Sequence, residues 1–199
     1  MIRSSKFLTV LGLAAGLGCM HPSQPVVFHT LQPLPGQGAP ARPGAIALEV
    51  LPVRLPELLR RPQMVVAQGP SAVRLLESDR WGNPLDQDMQ RVLVADLTQL
   101  LGGDGVVASP YGERVAALYR LEVEVQSCDP RGGAGLTLQA TWMVTRPGIP
   151  EALLVRRARI LEPVDGPDPE ALAQAHSRIL ATLSREIAAE LRALPVRRP

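Results

Sequence analysis

The second half of the chain alternates apolar and polar residues with the period of two that is typical of β-strands. In residues 120–126, Leu121, Val123 and Val125 point to one face, and charged or polar residues occupy the positions between them. Residues 136–144 repeat this alternation, and residues 152–161 are predicted to form a third strand. Turn-forming residues separate the runs at 129–133 and 147–150, so we expect three strands joined as an antiparallel meander with one solvated face.

Shorter apolar runs precede this meander. Residues 26–31 are rich in β-branched and aromatic side chains, and residues 46–50 alternate with Glu49 on the polar side. Residues 64–68 and 72–78 are two further candidates for strands, separated by a Gly-Pro-Ser turn. The strand candidates at 46–50 and 64–68 are separated by a segment that contains Pro52, Pro56 and Pro62. These prolines leave room for only a short turn over residues 57–61.

Two segments carry apolar residues at the helical period. The first is predicted to begin with Asn83 as N-cap and Pro84 at the first helical position, and to end at Gly102. The second is predicted to begin with Asp168 as N-cap, followed by Pro169. Because each helix has one apolar side, we predict an α+β fold of two layers. It has a mostly antiparallel sheet with the two amphipathic helices packed on one face.

The N-terminal residues predict export and lipid attachment. Arg3 and Lys6 precede twelve uncharged residues, 7–18, a run that fits a signal-peptide core and is shorter than the roughly 20 apolar residues that span a bilayer. The run ends at Gly-Leu-Gly before Cys19, which resembles a lipobox. We therefore predict a signal peptide over residues 1–18, a lipidated Cys19, a tether over residues 19–25 and one domain over residues 26–195. The alternative is an ordinary signal peptide followed by a cysteine by chance.

Charge and composition argue against a nucleic-acid partner. The whole chain carries 21 basic and 19 acidic residues, and the predicted signal peptide removes two of the basic ones, so the mature chain is near neutral. Aromatic residues make up 3% of the sequence, too few for base-stacking platforms. The two cysteines are too few for a disulfide framework, and we expect Cys128 to be a partly buried, inert thiol in a loop.

Residues with catalytic or metal-binding chemistry are scattered along the sequence. No two of His21, His29 and His176 have the spacing of metal ligands, and we interpret His176 as an imidazole at the edge of the second helix. No serine lies in a Gly-x-Ser-x-Gly context, and the glycine-rich segments 102–105 and 131–135 lead into no Lys-Ser or Lys-Thr at a helix start. We therefore predict no enzyme, no cofactor and no metal site. The rival reading is a hydrolase with dispersed residues.

Two segments are candidates for interaction. Leu58, Leu59, Arg60 and Arg61 combine apolar and basic side chains in a turn bracketed by prolines. In one interpretation the leucines dock on the core and the arginines are solvated. In the other, the turn is an exposed edge for a partner or an anionic headgroup. The second segment brings Trp81 to the start of the first helix, where we expect its ring to pack against the first helical turns.

Taken together, these segments resemble the ABC-type transport auxiliary lipoproteins, also called PqiC-type lipoproteins. The likeness covers most of residues 26–145 in order, from the first strand through the proline-bracketed turn and the first helix to the strand at 119–125. Its most specific part is the proline-bracketed turn followed by the motif Arg-Trp-x-x-Pro-Leu. The residues that carry this pair are Leu55, Pro56, Pro62, Arg80, Trp81, Pro84 and Leu85.

The resemblance implies a non-catalytic accessory subunit of an envelope-spanning lipid transport system. It implies a location at the periplasmic face of the outer membrane, with an MCE-domain protein and an ABC-type inner-membrane complex as partners. Met20 after Cys19, where Asp would favour retention in the inner membrane, agrees with that location. The resemblance leaves open whether the chain forms a homo-oligomer. The alternative function is a stand-alone structural lipoprotein of the envelope.

Overall fold

The computed structural model describes residues 25–36, 46–69, 71–102, 105–112, 117–130 and 135–194. Within these ranges the chain forms eight strands and two α-helices. The strands are β1 (Val27–His29), β2 (Leu48–Val50), β3 (Gln63–Ala67), β4 (Val73–Trp81), β5 (Val106–Ala108), β6 (Tyr119–Pro130), β7 (Leu136–Arg146) and β8 (Ile149–Glu162). The helices are α1 (Leu85–Leu101) and α2 (Pro169–Ala193). The predicted signal peptide, Cys19 and the tether up to residue 24 lie outside the described residues.

The strands form two sheets whose longest pairings are antiparallel. β6, β7 and β8 form the predicted meander, and β2 and β5 extend it as parallel strands in the order β5-β2-β6-β7-β8. A separate sheet has the order β1-β4-β3, with β1 parallel to β4. The α+β class is confirmed. The division into two sheets and the strand β5 were not predicted, because alternation along a strand says which side chains face a core but not which strands pair.

Burial along β6 follows the predicted alternation and corrects one prediction. Val123 and Val125 are buried, while the residues beside them are partly or fully exposed. A bulge between Val125 and Ser127 shifts the register, so that Cys128 also faces inward. The prediction that Cys128 lies in a loop and is only partly buried is therefore wrong. Burial, with a smaller contribution from Asp129, raises the pKa of the Cys128 thiol above its ordinary value, which disfavours the reactive thiolate.

The predicted start of α2 is confirmed. Asp168 is the N-cap, and its carboxylate accepts a hydrogen bond of 2.9 Å from the backbone N–H of Ala171. Pro169 occupies the first helical position, where its lack of an N–H costs nothing. The helix then buries one side along its length, including Ile179, Leu183 and Leu191.

The start of α1 differs from the prediction by one residue. Pro84, rather than Asn83, occupies the N-cap position, and no side chain caps the helix. The reason is the extended backbone of Pro84, with ψ of 127°, which excludes it from the first helical turn. The predicted end is confirmed: Gly102 adopts the left-handed conformation with φ of 72°, and its N–H donates to the carbonyl of Thr98.

The two helices pack against each other and against the inner side of the five-stranded sheet, α1 near β2 and β5 and α2 near β7 and β8. This agrees with the prediction that both helices lie on one face. The largest fully buried side chains come from both sheets and both helices, and include Trp142, Leu48, Met64, Leu93, Leu97, Leu121, Leu138 and Ile179. The apolar area that these side chains remove from water is the main contribution to stability.

The segment after β1, which we name the N-terminal strap (residues 31–35), is held against the helices by buried carboxylates of α1. The N–H of Leu31 donates to Asp88 at 2.8 Å, and the N–H of Leu34 donates to Asp96 at 2.7 Å. The hydroxyl of Ser184 on α2 donates to the second oxygen of Asp96 at 3.1 Å. Both carboxylates are buried, so these bonds satisfy groups that would otherwise be costly to bury.

Candidate partner-binding surface

The proline-bracketed turn exposes its arginines and buries one of its leucines. Residues Glu57–Leu59 form a short 3-10 helix in which the N–H of Leu59 donates to the carbonyl of Pro56 at 2.9 Å. Leu59 is only 7% exposed and belongs to the hydrophobic core. Leu58 is half-buried, whereas Arg60 and Arg61 are exposed. The structure therefore places Leu59 as an anchor of the turn on the core, and leaves Arg60 and Arg61 with part of Leu58 to face solvent.

The second predicted segment lies at the end of β4 and the start of α1. Trp81 is buried, and its ring meets the imidazole of His176 edge to face, with ring centroids 5.1 Å apart and an interplanar angle of 72°. This contact with α2 was not predicted from the sequence, which placed the ring on the first turns of α1. Leu85 is also buried, while Pro84 is exposed and Arg80 is half-buried, with its Nε donating to the carbonyl of Glu77.

His176 is not at the edge of its helix. It is 3% exposed, its Nδ1–H donates to the carbonyl of Leu172 at 2.8 Å, and the ring contacts Trp81. Burial lowers the pKa of His176 to about 4, opposed in part by the hydrogen bond to Leu172. The prediction of a helix-edge imidazole is therefore wrong, because the helical period alone did not show that the end of β4 packs on this side of α2.

Backbone hydrogen bonds bring the two predicted segments together. The N–H of Trp81 donates to the carbonyl of Pro62 at 2.7 Å, and the N–H of Gly82 donates to the carbonyl of His29 at 2.8 Å. A cavity of about 210 Å³ lies at this junction. We name its lining the two-motif surface, and its residues are Arg60, Arg61, Pro62, Trp81, Gly82, Asn83 and Pro84. The cavity is smaller than the roughly 300–1,000 Å³ that is usual for small-molecule sites, so its form suits contact with a macromolecule better.

His29 joins three elements beside this surface. It lies in β1 as predicted, is buried, and its Nε2 is 3.0 Å from Asp79 on β4. Its Nδ1 is 3.3 Å from Glu170 in the first turn of α2. The sequence did not indicate this cluster, because its members are far apart in the chain. Among the residues that the structure describes, no group of three His, Cys, Asp or Glu side chains could hold a metal ion; His21 lies outside those residues.

A larger cavity beside this cluster has ionisable side chains that already have structural roles. Its volume is about 520 Å³, and its lining includes Asp79, Asp168 and Arg74. Asp79 is paired with His29, and Asp168 caps α2. The described lining of this cavity contains no Ser, Thr, Cys, His or Lys. Both of its carboxylates therefore have roles in holding the fold together.

Comparison with known proteins places this geometry in a family. The model of the family described as "ABC-type transport auxiliary lipoprotein component" matches residues 29–188. The chain belongs to that family. The match includes the proline-bracketed turn, the segment at 80–85, α1, the meander and most of α2, and it continues past residue 145, where the resemblance in the sequence ends. The family is one of auxiliary lipoproteins of transport systems, which is not an enzyme class and implies attachment to a membrane.

Two solved structures share the fold. An uncharacterized protein is 20% identical, with a TM-score of 0.65, over 83% of this chain and 99% of that one. Protein XCC0632 from Xanthomonas campestris is 15% identical, also with a TM-score of 0.65, over 83% of this chain and 93% of that one. No curated protein matches the chain. In the part of the chain that the structure describes, no helix is both long and apolar enough to cross a membrane.

Proposed function

We propose that this protein is a non-catalytic accessory subunit of an envelope-spanning lipid transport system of the MCE/ABC type. It is anchored through lipid on Cys19 at the periplasmic face of the outer membrane and docks there onto an MCE-domain protein of the transporter complex. Membership of the auxiliary lipoprotein family supports the link to a transporter. The docking proposal rests on the observation that the proline-bracketed turn and the segment at 80–85 lie side by side at one exposed surface.

The two-motif surface has properties that suit a protein contact. Arg60 and Arg61 are exposed at its rim. Within the described ranges, the one ion pair that either makes is the exposed, local pair of Arg60 with Glu57 at 3.3 Å, which contributes little to stability. Both cations are therefore available to an acidic partner, and arginine is enriched at protein interfaces because its guanidinium binds carboxylates in two-point geometry. Pro62 and Pro84 add rigid, exposed apolar surface beside them.

A modest surface is sufficient for a tethered protein. A lipid anchor confines the domain to a thin layer next to the membrane, which raises the effective concentration of any partner held in the same layer. A contact that is weak in solution then becomes productive, and repetition around a symmetric homo-oligomer would multiply it. Leu59, Trp81 and Leu85 support the surface from the core and do not themselves need to touch the partner.

Co-purification tests the proposal. The lipidated chain is extracted from membranes with mild detergent, and the proteins that accompany it are identified by mass spectrometry. We expect an MCE-domain protein and permease components with the wild type. The double variant Arg60→Glu/Arg61→Glu should lose the MCE-domain protein and keep the wild-type melting temperature, because both side chains are exposed.

A matched control makes the same charge change elsewhere. Arg157 and Arg159 are exposed on β8, so Arg157→Glu/Arg159→Glu should leave the partner bound. If both double variants behave alike, the two-motif surface is not the docking site. If the wild type brings down neither an MCE-domain protein nor a permease, the transport role is wrong and a stand-alone structural lipoprotein is the better description.

A further inference from the structure

We propose that Val26, Val27 and Phe28 form an apolar ridge that inserts into the headgroup region of the bilayer and so fixes the orientation of the domain on the membrane. This inference rests on the lipid attachment at Cys19 that is part of the proposed function. The three side chains, which we name the N-terminal ridge, are 42%, 49% and 65% exposed. The value for Phe28 is the highest among the large apolar residues that the structure describes.

The ridge is exposed although the strand that carries it is firmly held. His29, the next residue, faces inward between Asp79 and Glu170, and its carbonyl accepts the N–H of Gly82. The N–H of Leu31 is bound by the buried Asp88. Because neighbouring residues in a strand point to opposite faces, the inward position of His29 turns Phe28 outward, whereas Val27 is exposed on the face that it shares with His29. The exposure of Phe28 is thus built into the strand and does not result from a frayed end.

The position of β1 in its sheet leaves the ridge uncovered. The order β1-β4-β3 makes β1 an edge strand, paired only with β4 among the described residues. Phe28 lies opposite Arg80 in the parallel ladder, so these two side chains share a face. An edge strand with consecutive exposed apolar side chains is a hazard for aggregation unless something covers it. A bilayer provides such a cover without a second protein.

The length of the chain before the ridge identifies the bilayer as the occupant. Val26 is only seven residues after Cys19. Even fully extended, seven residues span at most about 25 Å, at roughly 3.6 Å per residue. An acylated Cys19 would therefore keep the ridge within about 25 Å of the membrane surface. Aromatic and aliphatic side chains in this position are favourable in the interfacial region.

Insertion of the ridge would also set the position of the two-motif surface. A side chain built on Gly82 would approach the Cβ atom of Phe28 to 3.8 Å, so the ridge and the surface adjoin. The two-motif surface, which also contains Arg60 and Arg61, would then lie at the membrane-proximal side of the domain. Asp79 and Glu170, the acidic side chains that contact the next residue of the strand, are engaged by His29. We therefore expect the insertion itself to be apolar in character and little affected by salt.

Fluorescence quenching by lipid tests the inference. The acylated chain is reconstituted into phosphatidylcholine vesicles that carry brominated acyl chains, which quench only an indole that lies among the lipids. The native tryptophans 81 and 142 are buried and provide a constant background, measured with the wild type. Compared with the wild type, the variant Phe28→Trp should show additional emission at short wavelength, and brominated vesicles should quench this emission. The quenching should persist at 1 M salt, because salt shortens the electrostatic screening length to about 3 Å but leaves apolar contact intact.

The matched control is Leu161→Trp, because Leu161 is 59% exposed on β8, in the other sheet. Its emission should be at long wavelength and should not respond to bromine. Equal quenching of the two variants, or none for Phe28→Trp, would overturn the inference. These vesicles contain no partner protein, so this outcome is independent of the co-purification result. If the wild-type chain carries no lipid, the tether argument fails and the inference fails with it.

Discussion

At the scale of single residues, burial decides the chemistry of the ionisable side chains. His176 is enclosed by the core and by the ring of Trp81, and the burial of this imidazole lowers its pKa to about 4 from 6.5. Its hydrogen bond to the carbonyl of Leu172 fixes the neutral tautomer with the proton on Nδ1. A buried neutral imidazole of this kind is a structural element of the core.

The shift in pKa predicts a dependence of stability on pH. Because the pKa is lower in the folded state than in the unfolded state, the unfolded chain binds more protons between pH 6.5 and about 4. The contribution of His176 is therefore fully present above pH 6.5 and is lost as the pH falls to about 4, by up to about 3 kcal/mol. Asp96, whose pKa is raised by burial, acts with the opposite sign, since its contribution is lost as the pH rises through its folded pKa.

Urea unfolding of the wild type and of His176→Phe at a series of pH values isolates the histidine. We expect the difference in free energy of unfolding between the two proteins to change between pH 6.5 and about 4 and to be constant above pH 7. A difference that is flat from pH 7 to 4 would show that the imidazole is not enclosed as the structure describes.

At the scale of elements, the N-terminal strap connects the first strand to the helix pair. The carboxylate of Asp88 accepts the N–H of Leu31 at 2.8 Å and pairs with the Nε of Arg91 at 2.8 Å. Asp88 and Asp96 lie on the side of α1 that also carries its leucines. Their positions within the apolar stripe were a sequence signal for burial, since a charged residue on that side must find a partner.

Replacement of Asp88 tests the strap. The variant Asp88→Ala should lose about 1–3 kcal/mol of stability, because the N–H of Leu31 stays buried without an acceptor. Asp86→Ala is the control: both residues are acidic groups of the first turn of α1, so both variants lose the same favourable interaction with the helix dipole, roughly 0.3–1 kcal/mol. The difference between the two midpoints of unfolding then measures the hold of Asp88 on the strap, including its ion pair with Arg91, whose guanidinium also donates to the carbonyl of Leu31. Faster hydrogen exchange at Leu31 in Asp88→Ala alone would locate the effect, whereas equal losses would contradict it.

At the scale of the whole molecule, the proposed site of the lipid anchor precedes the described core in the chain. The described core begins at Leu31, twelve residues after Cys19. In the proposed function, a lipid anchor of several acyl chains on Cys19 holds the protein at the membrane, so the variant Cys19→Ala should move it from the membrane fraction to the soluble periplasmic fraction. Its melting temperature should be unchanged. Labelled palmitate should enter the wild type and not the variant, and a soluble, unlabelled wild-type chain would contradict lipid attachment at Cys19.

Several features followed from the sequence because they depend on neighbours in the chain. The alternation in residues 120–126 and 136–144 set the strands of the meander, Asp168 with Pro169 set the start of α2, and Gly102 set the end of α1. These are local effects of side-chain direction, hydrogen-bond capping and backbone freedom. The family resemblance also rested on local motifs, and the match over residues 29–188 confirmed it.

Other features were decided only by the tertiary structure, because they join residues that are far apart in the chain. The sequence by itself placed Arg60, Trp81 and His29 in three separate segments, and only the pairing of β4 with β1 and β3 brought these segments next to each other. The same pairing buried His176 beneath Trp81, while the bulge in β6 turned Cys128 inward. Local pattern determines which side of an element is apolar. Which other element covers that side is settled by packing the whole chain, since burial is a property of all the neighbours together.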